Sequence, residues 1–400
     1  ADRPAPRGPR ALAPDLARGT MLLLIALAHA HMYLSGQDVG FRGYARDGSV
    51  IDRIVAGLQV TLVDGRALPM FAALFGYGFV QFASSRAAAG ADWPRTRRLL
   101  RRRSWWLLAF GFCHALLLFF GDILGAYGLL GLLVVGVLRW RDRTLLLVAA
   151  GWILAYGAVY ALNGAQIAEY GGPADAMATS DPVAAAGGRL ALWSVLTVML
   201  AIEVLTPFLI GVWAARRRLL EDLDGNRRTL RITAAAGLAS AVIGGLPLAL
   251  MDSELWTGAP ASLAVPAYVL HGLTGLGGMG YAALVGLVAR RATATPGRIV
   301  TALAACGQRS MTCYLLQSVV FVAVFVPYAG GMGTELGTAA ASGIAVLTWL
   351  TTVLLAALLH RAHTPGPAEQ LLRRLTHGSR RHAPVAARPA KSGRNPARSR

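Results

Sequence analysis

Apolar residues in this chain run in long blocks, and the polar stretches between them are short and mostly arginine. A helix needs about 20 mostly apolar residues to cross a bilayer's hydrocarbon. On that measure the pattern predicts ten spans, near residues 17–35, 58–82, 104–120, 123–138, 144–162, 190–214, 231–250, 262–289, 300–327 and 340–360. The third and fourth are joined by Gly121 and Asp122, a reversal that suits a helical hairpin. The second and ninth are long and interrupted by polar residues, which predicts a broken or re-entrant path.

Composition supports this reading. Hydrophobic residues make up 55% of the 400 positions, charged residues 15%, and the mean hydropathy is +0.50. A soluble domain carries about 25% charged residues, so a water-facing surface of ordinary polarity is excluded, as is disorder of the whole chain. The three cysteines, Cys113, Cys306 and Cys313, sit in apolar runs without metal-ligand spacing, so neither a disulfide scaffold nor a metal site is expected.

The net charge of +19 raises the question of nucleic acid, and its distribution answers it. The basic residues cluster between spans, as cytoplasmic loops do, so the bilayer and not nucleic acid is the expected partner. With the N-terminus inside and ten crossings, 33 of the 39 Lys and Arg fall on the inner side. The expected fold is therefore all-α: a polytopic membrane helix bundle of about ten transmembrane helices, both termini cytoplasmic, in the inner (plasma) membrane. Residues 1–14 form a cytoplasmic arm, 15–378 the membrane domain, and 379–400 a basic, disordered tail suited to anionic headgroups. The first apolar run lacks a convincing small-residue cleavage site and reads as a retained span.

Ionisable groups within spans cost about 2.5–3.5 kcal/mol each on insertion scales and default to functional hypotheses. Here they are His29, His31, Asp64, Arg66, His114, Asp122, Glu203, His271 and Arg309. In the first span Asp15 and Arg18 are three apart and share a helix face. His29 follows Arg18 by close to three turns, about 16 Å of rise. The three lie along one stripe: a cation at the mouth and an imidazole at depth. His31 points nearly opposite. A topogenic ion pair with a packing histidine explains the same stripe. Asp122 suits a cap on the following helix, next to a cluster with His114. Glu203 precedes Thr206 and Pro207, a kink signal. The glycines around His271 suggest close helix packing.

The first span, with Asp15, Arg18, Gly19 and His29, resembles the opening helix of the acyltransferase-3 superfamily of membrane acyltransferases. The wider chain is similar to the YeiB-like family. Leu74–Phe79 with Gln81, Arg101–Arg103 with Gly111, His114 and Gly121–Leu124, Gly307–Ser318, and Gly366–Thr376 carry that resemblance. The chain departs from that family's pattern at His29, where many members have Asn, and at Cys313, which also replaces Asn. The acyltransferase resemblance implies movement of an acyl group from a cytoplasmic donor, for instance acyl-CoA, to a hydroxyl or amine acceptor at the membrane. Arg18 would bind the donor's phosphate, a role suited to a bidentate guanidinium. His29 would serve as base, oriented by Asp64 or Asp122, with His114 as a further candidate. The alternative is a secondary transporter using Asp64, Arg66, His114 and Glu203; the two halves of the chain lack the internal repeat many transporters carry.

Overall fold

The computed structural model describes residues 11–170, 177–292 and 296–377; the basic tail and residues 1–10 of the N-terminal arm lie outside them. Among the described residues every regular element is helical, apart from one isolated bridge between Val39 and Ala45. Helix α1 (Leu12–Ala30) tightens into a 3₁₀ turn, His31–Tyr33, and enters a loop. Helix α2 (Val50–Leu62) starts with a reciprocal cap: Asp52 N–H donates to Ser49 Oγ, and Ser49 N–H donates to Asp52 Oδ2. Its axis breaks at Val63–Arg66, where Gly65 adopts φ +69°, a conformation a side chain would strain. Helix α3 (Ala67–Ala88) continues beyond the break.

Helix α4 (Trp93–Leu117) begins at the Asp92 cap, and α5 (Ile123–Val134) begins where Asp122 Oδ2 accepts the Gly125 N–H. Helices α6 (Asp142–Tyr170), α7 (Pro182–Arg216) and α8 (Arg227–Asp252) are long; Pro207 and Pro247 lie within the last two. Then come α9 (Ala264–Thr274), a 3₁₀ stretch over Gly275–Gly278, α10 (Met279–Ala292), α11 (Arg298–Gln308), α12 (Ser310–Phe325), α13 (Thr338–Arg361) and α14 (Pro367–His377).

Among the described residues, seven helical segments are long and apolar enough to cross a membrane: Leu12–Tyr33, Val50–Ala88, Asp142–Tyr170, Pro182–Arg216, Arg227–Asp252, Ala261–Ala292 and Thr338–Arg361. Ile123–Arg139 and Ser310–Phe325 are apolar but shorter. The difference from ten has local causes. The expected third span falls in α4, whose first half carries Arg95, Arg97, Arg98 and Arg101–Arg103. The expected fourth, Ile123–Arg139, is too short, and the expected ninth is divided at Arg309 into α11 and α12, as its polar interruption suggested; the second, though broken near Gly65, still counts as one long segment.

The faces of the bundle match a lipid solvent. Leu147, Leu154 and Leu162 on α6, and Leu347 and Leu354 on α13, are more than half exposed. Apolar exposure on that scale marks a surface meant for another apolar phase. Inside, α1 crosses α11 at backbone contact. A methyl on Gly19 would collide with the Leu303 carbonyl, and one on Gly307 with the Asp15 carbonyl.

Polar contacts sort the helix ends into two sets. Arg216 binds Asp142 at 2.8 Å, Arg290 binds Asp224 at 2.5 Å, Gln81 donates to Glu221 at 2.8 Å, and Arg86 meets His377 at 3.2 Å. These tie the arginine-rich connections and α14 together at one end, called here the basic end. At the far end Arg53 pairs with Glu254 at 3.1 Å, Ala339 N–H donates to Asp52 at 2.7 Å, and Arg189 donates to the Leu116 carbonyl and the Tyr328 hydroxyl.

Candidate functional site

Two partly open cavities lie along α1, one toward each end. The basic-end cavity has a volume of about 580 Å³. Arg18, Gln81, Arg103 and Arg373 supply its polar rim, while Leu22, Phe75, Leu107, Leu124 and Met311 make apolar walls down to Tyr314. Arg18 holds Asp15 at 3.4 Å and donates to the Leu74 carbonyl at 3.1 Å. The Arg103 guanidinium is close enough to Arg18 to feel its charge. Asp15 offsets the charge of Arg18, and that of Arg103 is met by no carboxylate among the described residues.

The far cavity holds about 300 Å³ and is lined by His29, His31, Arg42, Tyr160, Asn163 and Glu203, among others. Ile25 and Ile123 line both cavities, so these two side chains form the partition between them. A single cleft running from Arg18 to His29, as the stripe suggested, is not what the structure has. The stripe exists, but its cation and its imidazole face different chambers.

Neither carboxylate expected to orient His29 does so. Asp64 is fully buried and lies 3.6 Å from the Arg42 guanidinium. Asp122 sits against His114, with Oδ1 2.9 Å from Nδ1. The His29 ring is fixed by aromatic neighbours, with its centroid 4.5 Å from Phe119 and 6.0 Å from Tyr314. The cause is the path of the chain: Asp64 follows α2 into its break, and Asp122 is held by the cap it provides to α5. His31 also departs from expectation. The helix tightens at residue 31, so its ring faces the same cavity as His29, stacks 3.9 Å from Tyr44 and meets the Arg42 carbonyl at 3.0 Å.

The far cavity rests on a dense polar floor. Arg42 N–H donates to Asp252 at 3.0 Å. Arg42 lies in the loop outside the spans; burial alone would disfavour its charge, but Asp64 and nearby tyrosine hydroxyls raise its pKa above the ordinary arginine value. Arg66, fully buried, donates to the His271 carbonyl at 3.0 Å and the Ala241 carbonyl at 3.1 Å, tying the α2–α3 break to α8 and α9. Gly278 lies against the Arg66 carbonyl, which gives the glycine-rich stretch its packing role. Glu203 faces Tyr160 and Arg42. Its neighbour Thr206 donates to the Ala149 carbonyl at 3.1 Å, and α7 runs on through Pro207. Arg309 donates to the Ala305 and Thr364 carbonyls, closing the α11–α12 break toward α14.

A third cluster lies behind the partition. His114 Nε2 is 2.9 Å from Ser318 Oγ, and its Nδ1 faces Asp122. All three side chains are buried and line neither cavity. The Nδ1–Oδ1 contact is short but falls outside linear hydrogen-bond angles. Asp122 thus both caps α5 and faces His114. Ser318 closes the Gly307–Ser318 block but does not read as a site residue in sequence, because a serine within an apolar run has no pattern of its own; only the fold brings α12 beside α4.

Residues 214–379 match a family model described as a protein of unknown function, DUF418. That region includes the Gly307–Ser318 and Gly366–Thr376 blocks and leaves out Arg18, His29, Asp64, His114 and Asp122. The chain is also 25% identical over 394 residues to the uncharacterized protein YxaH of Bacillus subtilis (strain 168), covering 91% of this chain and 93% of that protein. Fold and comparisons together describe a helical membrane protein similar, over its C-terminal part, to a family of unknown function.

Proposed function

We propose that this chain is a membrane-embedded acyltransferase. The basic end faces the cytoplasm of a cell whose plasma membrane holds the bundle, and the basic-end cavity receives an acyl donor bearing phosphate, such as acyl-CoA. Arg18 and Arg103 bind the phosphates, with Arg373 adding field, and the apolar walls beyond them take the acyl chain. A hydroxyl or amine acceptor enters the far cavity, and the His29 imidazole takes its proton as it attacks. Phe119 holds that imidazole by ring contact in place of a carboxylate.

The observation that carries the reading is the placement of Arg18 and His29 on one helix, facing two chambers that share Ile25 and Ile123. A donor site and an acceptor site on either side of a thin partition suit transfer better than a single through-path does. The test is labelled acyl-CoA added to purified protein in nanodiscs, with release of free CoA as the readout. Thioester cleavage that falls at least 100-fold in His29→Ala supports the proposal, on the scale of a lost general base. Cleavage unchanged by that substitution, or absent from the wild type across acyl lengths, contradicts it.

The far cavity's floor favours a second reading, transport of a small solute. Among the described residues, neither Asp64 carboxylate oxygen nor either His271 ring nitrogen makes a hydrogen bond, though the Arg42 guanidinium lies 3.6 Å from Asp64, which suits transient hydration or proton binding. Uptake into proteoliposomes that is lost in Asp64→Asn or Glu203→Gln would favour it.

A further inference from the structure

Ser318, His114 and Asp122 come from α12, α4 and the α4–α5 turn, and nothing in their local sequences requires them to meet. The serine-to-imidazole distance is 2.9 Å and the imidazole-to-carboxylate distance is also 2.9 Å. Burying three such groups in the bundle carries a desolvation cost that an apolar trio would avoid. Asp122 has an independent structural task as the α5 cap, which needs only Oδ2. The cap leaves Oδ1, the imidazole and the serine unexplained.

Their position gives them a use. Tyr314 lies one helical turn before Ser318 on α12, lines the deep wall of the basic-end cavity, and has its ring centroid 4.9 Å from His114. The Tyr314 hydroxyl is buried and, among the described residues, has only the Ile123 backbone near it, without a hydrogen bond of good geometry. On the other side, Phe119 lines the far cavity and stacks 5.2 Å from Tyr33, whose side chain reaches Ser318. Ser318 is therefore about one aromatic layer from each chamber, and the layer toward the basic end carries the Tyr314 phenol.

We propose that Ser318 is a nucleophile that forms a covalent ester with the acyl group. The donor class is an activated acyl compound, a thioester or equivalent, entering from the basic-end cavity once the Tyr314 ring turns aside. Ser318 Oγ attacks the carbonyl carbon as its proton passes to His114 Nε2. The carbon–sulfur bond breaks, the carbon–oxygen bond of the serine ester forms, and His114 returns the proton to the departing thiolate. A small rotation of the imidazole aligns Nδ1–H with Asp122 Oδ1, which stabilises the imidazolium. Tyr314 is poised to donate a hydrogen bond to the carbonyl oxygen as it gains charge. The acceptor in the far cavity then attacks the ester carbonyl carbon as its proton passes to His29; the carbon–oxygen bond to Ser318 breaks, and an equivalent proton returns to Ser318 Oγ through His114.

This inference rests on the acyl-transfer reading for its direction of flow, while the nucleophile itself is separately testable. The probe is an alkyl fluorophosphonate carrying a long chain, applied to the full-length protein in nanodiscs, with adducts mapped by mass spectrometry. The expected result is an adduct on the peptide containing Ser318, none there in Ser318→Ala, and labelling at least 100-fold slower in His114→Gln. Asp122→Asn, which keeps an oxygen for the cap, gives an intermediate loss. Monodisperse elution of each variant separates lost reactivity from lost fold. No adduct at Ser318 in the wild type with either long or short chains, or an equal rate in a folded His114→Gln, overturns the proposal. Adduct formation without any acyl transfer leaves Ser318 a nucleophile and removes the acyltransferase reading; transfer without an adduct does the reverse.

Discussion

The two cavities share a wall but are built on different physics. The basic-end cavity has long guanidinium side chains at its rim and hydrocarbon below. One of those guanidinia, Arg103, is left without a carboxylate among the described residues. Beneath the far cavity the charges are fixed in place: the Arg42 guanidinium lies against Asp64, Asp252 accepts the Arg42 backbone N–H, and Arg66 bridges two helices through backbone carbonyls. A rim whose Arg103 lacks a carboxylate among the described residues is prepared for an arriving anion. A locked polar floor is prepared to hold a shape. Equivalent substitutions in the two places should therefore read out differently, one in affinity and the other in stability.

The sharpest way to break that contrast is to truncate one arginine at the rim of the basic-end chamber and one buried beneath the far one. Arg66→Met removes two hydrogen bonds from a buried guanidinium, and with them a tie between the α2–α3 break and helices α8 and α9. Hydrogen bonds to charged groups contribute about 1.5–3 kcal/mol each, so the loss should be roughly 3 kcal/mol or more. Thermal unfolding in detergent should record a large fall in midpoint. Arg103→Met, at the rim, should leave that midpoint within the small range of ordinary surface changes, about 0.5 kcal/mol. Equal losses would erase the distinction.

Affinity should move the other way. Arg103→Gln removes a charge-assisted contact to phosphate, and binding of acyl-CoA by equilibrium dialysis should weaken by roughly tenfold to a hundredfold. Arg66 variants that remain folded should bind donor normally. A smaller effect belongs to α14, which closes the basic-end chamber. Glu369 accepts the Met311 and Thr312 N–H groups at the start of α12, at 2.8 and 3.2 Å. Glu369→Gln keeps the shape and loses the charge, so it should cost about 1 kcal/mol, as weakened helix caps do. Faster proteolytic release of α14 at unchanged donor affinity would show it in isolation.

How much of this was legible in the sequence depends on the range of the interaction. The apolar blocks predict helices that the structure contains, because hydrophobic length is a local property. The polar interruptions in the second and ninth blocks became the breaks at Gly65 and Arg309 for the same reason. The Asp15–Arg18 pair was legible from helix spacing, and so was the Asp122 cap from its place before α5. The partners of His29 were not. Whether Asp64 reaches His29 or Arg42 depends on how a loop of 16 residues, 34–49, folds back over α1, and no periodicity encodes that. The partition at Ile25 and Ile123 was hidden too, since an isoleucine dividing two cavities looks in sequence like any other core residue. Ser318 became visible only when α12 was placed against α4.

The central claim is that two chambers face opposite sides of the membrane and do not communicate freely. The direct measurement replaces Cys113, Cys306 and Cys313, then introduces a single thiol at Ser85 at the mouth of the basic-end cavity or at Asn163 in the far one. A membrane-impermeant maleimide is applied to sealed vesicles of both orientations. Ser85→Cys should label only from the face bearing the arginine-rich loops, and Asn163→Cys only from the opposite face. Labelling of both positions from one face would contradict the account and leave Arg18 and His29 in chambers with no division of labour between them.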